Sequence, residues 1–146
     1  MNIFQYFESE FARILAELVG QGLLPENLDA GRVVFELPRE AAHGDLATNA
    51  AMILAKPAQK SPRDLAAVFA GEFTKIDVVT GVDIAGPGFI NLRVSPILWA
   101  RQITDIVKAG AHYGRSQIGA GAHVNIESVS ANPTGPLHAA HARGAV

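Results

Sequence analysis

The 146-residue sequence contains no cysteine. Disulfide frameworks and cysteine-ligated zinc sites are therefore excluded. No stretch approaches the roughly 20 consecutive apolar residues of a membrane-spanning helix. The N-terminus, "MNIFQYFESEFARIL", carries acids early and lacks the basic segment and apolar run of a signal peptide. Excess positive charge is also missing: 12 Lys and Arg face 14 Asp and Glu, a net charge of −2. The total excludes a strongly basic nucleic-acid binder. The expected compartment is the cytoplasm.

What is present suits a globular domain of ordinary size with a fragment of a second, since 49% of residues are hydrophobic and only 18% charged. Charge is uneven along the chain. Residues 1–55 hold three Arg and eight acids, a net of −5, and residues 56–83 hold four of each sign. Residues 84–146 hold five Lys and Arg and two acids, a net of +3. On charge alone these are ordinary solvated faces.

Periodicity outlines the elements. Phe4, Phe7, Phe11, Ile14, Leu15, Leu18 and Val19 form one helical stripe over 2–19, ended by Gly20 and Gly22. "RVVFEL" (Arg32–Leu37) reads as a strand closed by Pro38. In "HGDLATNAAMILAK", Asp45 is expected to N-cap a helix that buries Leu46, Ala50, Ile53 and Leu54. Ser61-Pro62 opens a helix to about Phe73, by the N-cap plus N1-proline signature. Val78–Ala85 and Phe89–Val94 alternate around Gly86-Pro87-Gly88, which predicts a β-hairpin. Ser95-Pro96 begins a further helix to about Ala109. The glycine-rich Gly110–Ala122 is expected to be a linker, followed by a strand "HVNIESV" (His123–Val129), a turn "SANPTGP" and a helix "LHAAHARGAV". The expected organisation is an α+β domain over 1–109, a linker over 110–122, and one strand–turn–helix unit over 123–146.

In open α/β sheets, ligands sit beyond the strand ends, against the N-termini of the following helices. His138 and His141, three apart, would share one helix face there. Their N–H groups suit phosphate oxygens. Locally, three readings stay open: a nucleotide site, half of a metal site, or an incidental pair on a solvated helix. Pro133 and Pro136 stiffen the turn, Gly135 permits close approach, and Asn132 supplies a neutral donor and acceptor. Glu127 lies on the expected strand, either as an exposed carboxylate or as a receptor for a cation.

"SANPTGPLHAAHARGA" resembles the signature of arginyl-tRNA synthetases, class I enzymes with a His-x-Gly-His element after the first strand of a Rossmann-type catalytic domain. "HGDLATNAAM" (His43–Met52) and "IAGPGFINLRV" (Ile84–Val94) resemble two stretches of that family's additional N-terminal domain. The resemblance covers nearly the whole chain, in order. It implies an α+β N-terminal domain, helices packed on a small antiparallel sheet, followed by the first strand–turn–helix of the Rossmann-type domain. The full-length enzyme would be a monomer that activates L-arginine with ATP, accompanied by Mg2+, and transfers the arginyl group to arginine tRNA. No metal held by the protein itself is expected. His138 and His141 match the motif histidines that contact ATP and stabilise the reacting phosphate, beside Pro133, Gly135 and Ala140. Glu127, Ser130 and Asn132 match arginine-binding positions, with Glu127 facing the guanidinium, a pairing a carboxylate makes well.

Phe89 and Asn91 match positions that meet loop nucleotides at the D-loop corner of the tRNA, and Arg93 lies beside them. An aromatic ring can stack on an unpaired base and an amide can read its edge. Without the resemblance, Phe89 reads as core. Arg93, Lys56, Lys60 and Arg63 are candidates for phosphate contacts, although "KPAQKSPR" also reads as a solvated loop between helices. One departure stands out: Ala140 occupies the usual glycine position of the motif. Its β-carbon is expected to weaken ATP binding or displace the adenine slightly without abolishing activity. The family's second signature loop, rich in Lys and Ser, and its helical anticodon domain have no counterpart in these residues. The expectation is an N-terminal fragment that does not aminoacylate tRNA by itself. The alternative is a stand-alone tRNA- or protein-binding module with a vestigial synthetase motif.

Overall fold

A computed structural model describes residues 2–38, 40–127, 135–136 and 138–144. The chain divides into two compact units, Met1–Ala111 and His112–Val146. The first unit begins with helix α1 (Ile3–Gly20), opened by a capping box. Asn2 Oδ1 accepts from the Gln5 amide at 2.9 Å, and the Asn2 amide donates to Gln5 Oε1 at 3.1 Å. Ile3, Phe7, Phe11, Ile14 and Leu18 form its buried stripe. On the exposed side Arg13 bridges Glu10 and Glu17, which holds its guanidinium above the usual arginine range.

Four strands form one antiparallel sheet: β1 (Phe35–Glu36), β2 (Leu46–Thr48), β3 (Val79–Ala85) and β4 (Phe89–Val94), in spatial order β1-β2-β4-β3. Helices α2 (Ala50–Ala55), α3 (Pro62–Phe73) and α4 (Pro96–Ala109) complete the unit. The hairpin is formed as its alternation predicts. Both N1 prolines open helices, with the side chains of Ser61 and Ser95 accepting from the amides of Asp64 and Ile97. The core is a phenylalanine cluster joining α1, β1 and α3. The Phe11 ring lies 5.1 Å from Phe69, 6.0 Å from Phe35 and 6.1 Å from Phe73, and Phe69 and Phe73 are fully buried. Ile90 and Leu92 present the inner face of β4 to this core. Helix α4 buries none of its residues, but Leu98 and Trp99 lean on the core.

Asp45 does not cap a helix. The segment after it enters the sheet as β2, pairing Leu46 with Leu92 and Thr48 with Ile90, and the helix starts only at Ala50. Asp45 instead closes the end of the sheet: Asp45 Oδ2 accepts from the Val94 amide at 2.8 Å, and the Asp45 amide donates to Leu92 O at 2.8 Å. Gly44, at φ +117°, must be glycine because a β-carbon would lie 2.7 Å from Leu92 O. Asn49 binds the segment before β1, accepting from the Val34 amide at 2.9 Å and donating to Arg32 O at 3.3 Å. With the Val34 amide taken by the Asn49 side chain, the ladder begins only at Phe35, and "RVVFEL" pairs at Phe35 and Glu36 alone. Asp45→Ala is expected to cost about 1–1.5 kcal/mol, read by urea unfolding, with Asp45→Asn recovering most of it because one amide oxygen still accepts. Equal losses for the two variants would contradict the latch.

In the second unit the expected strand at His123–Val129 is not formed over its described part, residues 123–127. A strand satisfies its backbone only by pairing, and no strand forms among the described residues of 112–146. There is accordingly no Rossmann-type sheet among them. Of the expected strand–turn–helix, the helix is present as α5 (Ala139–Gly144).

Candidate functional site

The outer face of the sheet, opposite the phenylalanine cluster, carries a cleft of ≈ 370 Å³. That volume lies within the roughly 300–1,000 Å³ span of small-molecule sites. The alternation of β4 puts Phe89, Asn91 and Arg93 on this face. Phe89 and Asn91 line the cleft, joined by Glu36, Ala47 and Ala85 of the neighbouring strands and by Glu40 and His43 of the segment leading into β2. The core reading of Phe89 is thus overturned: the residue is 36% exposed and stands outside the phenylalanine cluster. The turn before it is held in place by Gly88, whose β-carbon would meet Pro62 O at 2.9 Å.

Asn91 is 6% exposed, yet its carboxamide makes no hydrogen bond among the described residues. No buried side-chain nitrogen or oxygen among them is left fully enclosed without a partner. Its polar atoms therefore still reach solvent, through the cleft that it lines. Arg93 is not part of the lining. Its Nη2 donates to Ala42 O at 2.7 Å and its Nε lies 3.9 Å from Asp83 Oδ2, so it pins the turn Ala41–His43 beside the cleft. Lys56, Lys60 and Arg63 do not contribute to the cleft lining.

His138 and His141 form a second constellation. The Ala140 amide donates to His138 Nδ1 and the His138 amide donates to His141 Nδ1, both at 3.3 Å. The rings stack with centroids 3.9 Å apart. The pair caps its own helix. An imidazole whose Nδ1 accepts carries its proton on Nε2 when neutral. Each ring therefore keeps one further donor, the Nε2–H, of the kind a phosphate oxygen accepts. Glu127, Gly135 and Ala140 are exposed. Pro133, Ser130 and Asn132 lie outside the described residues. Among the described residues, no three His, Cys, Asp or Glu side chains come together to hold a metal ion, and no helix is long and apolar enough to cross a membrane.

The family model of the arginyl tRNA synthetase N terminal domain matches residues 5–94, from α1 through the whole of β4. The chain belongs to that family. Within the arginyl tRNA synthetase N-terminal domain so defined lie the sheet, the cleft and every described residue that lines it. Curated relatives extend the likeness beyond it. The arginine–tRNA ligase of Parvibaculum lavamentivorans is 53% identical over all 146 residues, and that of Rhodospirillum rubrum 49%. The arginine–tRNA ligase of Nitrobacter winogradskyi is 54% identical over 134 residues, 92% of this chain. The chain spans about a quarter of the length of these relatives: 25%, 25% and 22%.

Sequence reasoning missed Glu36, Glu40, His43, Ala47 and Ala85 as cleft residues. Alternation in "RVVFEL" places Glu36 on the face opposite Phe35. Which strand it faces is decided by register, which no local pattern announces.

Proposed function

We propose that this chain is the N-terminal part of an arginine–tRNA ligase, and that its outer-face cleft receives an unpaired base from the D-loop corner of arginine tRNA. The observation that carries the reading is the pairing, in one cleft, of a partly exposed aromatic ring with a nearly buried amide lacking an internal partner. Phe89 offers a stacking surface that accepts any base, and Asn91 offers a donor and an acceptor to its edge. The reading is further supported by relatives that match the full 146 residues rather than the family domain alone. A free-standing elbow-binding module would have no use for the "HAAH" segment.

In the whole enzyme, arginine would attack the α-phosphate of ATP to give arginyl-adenylate and pyrophosphate, and the arginyl group would then pass to the terminal ribose of the tRNA. The part of this chain is to bind and orient. The Nε2–H groups of His138 and His141 would donate to phosphate oxygens as charge builds on them, an interaction that lowers the barrier only where it is stronger in the transition state. Glu127 would hold the guanidinium of arginine, with Ser130 and Asn132 beside its α-substituents and Pro133, Gly135 and Ala140 against the nucleotide. Mg2+ would arrive on the phosphates of ATP.

The test is direct. The 146-residue chain should bind an arginine tRNA transcript about tenfold tighter than the same transcript with abasic residues at its unpaired D-loop positions, as expected for one lost stacking contact. It should give no arginine-dependent pyrophosphate exchange with ATP and tRNA. Equal binding of the two transcripts would sink the cleft assignment, and exchange above background would sink the division of labour.

A further inference from the structure

The described lining of the cleft carries more acid than base. Among its described lining residues Glu36 and Glu40 are acidic, and His43 is the one side chain able to carry a positive charge. Both carboxylates are exposed, and neither belongs to an ion pair among the described residues. A phosphate set against these two carboxylates would be repelled. A base edge would not.

Register sharpens the point. Glu36 pairs with Ala47, and Ala47 pairs with Asn91, so the three side chains form one row across the outer face. With neighbouring strands about 4.8 Å apart, the α-carbons of Glu36 and Asn91 lie roughly 10 Å from each other, with only the methyl group of Ala47 between them. Beyond Asn91 the row ends at Asp83, whose carboxylate faces the Arg93 guanidinium; toward β1 it is an open slot that runs from the nearly buried, internally unpartnered carboxamide to the Glu36 carboxylate. A carboxamide both donates and accepts, so Asn91 cannot by itself choose the polarity of its ligand. An ionised carboxylate only accepts. A group that hydrogen-bonds to Glu36 must therefore present a donor, and on the edge of a base that donor is an N–H.

We infer that Glu36 is a specificity-determining residue of the cleft: its carboxylate accepts a hydrogen bond from the amino or imino edge of the unpaired base that lies on Phe89, and its charge keeps phosphate out. This rests on the base-binding reading above. It adds a residue, a polarity and a sign. Simple electrostatics says that removing a negative charge from a surface that meets a polyanion tightens binding. A carboxylate that accepts from the base says the opposite.

The experiment measures the affinity of the 146-residue chain for an arginine tRNA transcript by fluorescence anisotropy at one salt concentration. Glu36→Gln removes the charge at nearly constant size and should weaken binding by about threefold or more, and Glu36→Ala further, since hydrogen bonds to charged acceptors exceed neutral ones. Glu17→Gln, on the outward side of α1, should leave affinity equal or slightly tighter, and far-ultraviolet circular dichroism should show all three variants folded. If Glu36→Gln binds as tightly as wild type or tighter while Phe89→Ala and Asn91→Ala bind more weakly, the base-binding reading stands and this inference is overturned. If Phe89→Ala and Asn91→Ala change nothing, or the wild-type chain does not bind the transcript, both fall together.

Discussion

Phe69→Ala is expected to lower the stability of the first unit by about 3–5 kcal/mol, the usual cost of emptying a buried phenylalanine site. The ring is fully buried and meets Phe11 edge-on at 5.1 Å, across the contact between α1 and α3. Removing it strips a wall from the cluster that also holds Phe35 and Phe73. Domains of this size have only about 5–15 kcal/mol in total. The midpoint of thermal unfolding should fall by about 12 °C or more, since each kcal/mol shifts it by roughly 4–8 °C in a domain of 60–100 residues. Calorimetry or circular dichroism reads the shift. A loss below about 1 kcal/mol, the range of surface substitutions and mild repacking, would mean that the cluster is not the core.

The phenylalanines also show how far the sequence is readable. Phe7 and Phe11 fall on a helical stripe, and Phe69 and Phe73 on a capped helix with a proline at its first turn. In each case the deciding signals lie within a few residues, and the elements form as expected. Asp45 shows the opposite. Its context looks like an N-cap, yet the residues that decide its structure, Leu92 and Val94, are nearly 50 positions away. No local preference outweighs a strand that completes a four-stranded sheet and buries Leu46 and Thr48. The unformed strand at 123–127 is the same lesson reversed. Local β-propensity there is good, but propensity forms no strand without a partner strand, and none is formed among the described residues of 112–146.

The site is legible in part for the same reason. Period-two alternation in "FINLR" is local, so the strand is legible, but from the residues alone Phe89 reads as core, and the structure turns it outward with Asn91 and Arg93. The sequence does not reveal what Arg93 does there, because its partner is the carbonyl of Ala42 in a turn with no sequence signature. Glu36, Ala47 and Asn91 become one row only through two successive registers, each set by hydrophobic burial on the other face. The mutual capping of His138 and His141 is equally hidden. Spacing of three puts the rings on one side of a helix, whereas the geometry has each Nδ1 accepting from the backbone at the helix start.

Phe89→Ala should separate binding from folding. Base–aromatic stacking is worth about 1–3 kcal/mol by alanine substitution, so affinity for arginine tRNA is expected to fall by roughly 5- to 150-fold. Stability should change by less than about 1 kcal/mol, because the residue is 36% exposed and contributes nothing to the phenylalanine cluster. Phe89→Tyr should keep most of the affinity, since stacking needs the ring and not its edge. The comparison with Phe69 is what gives the measurement its force. One and the same truncation, at two phenylalanines twenty positions apart, is expected to move unfolding at the first and binding at the second. Anisotropy with the tRNA transcript and urea unfolding on the same samples read both. A Phe89→Ala variant that lost several kcal/mol of stability would return the ring to the core. One that kept both stability and affinity would leave the cleft without its stacking surface, and the D-loop corner of the tRNA would have to meet another part of the domain.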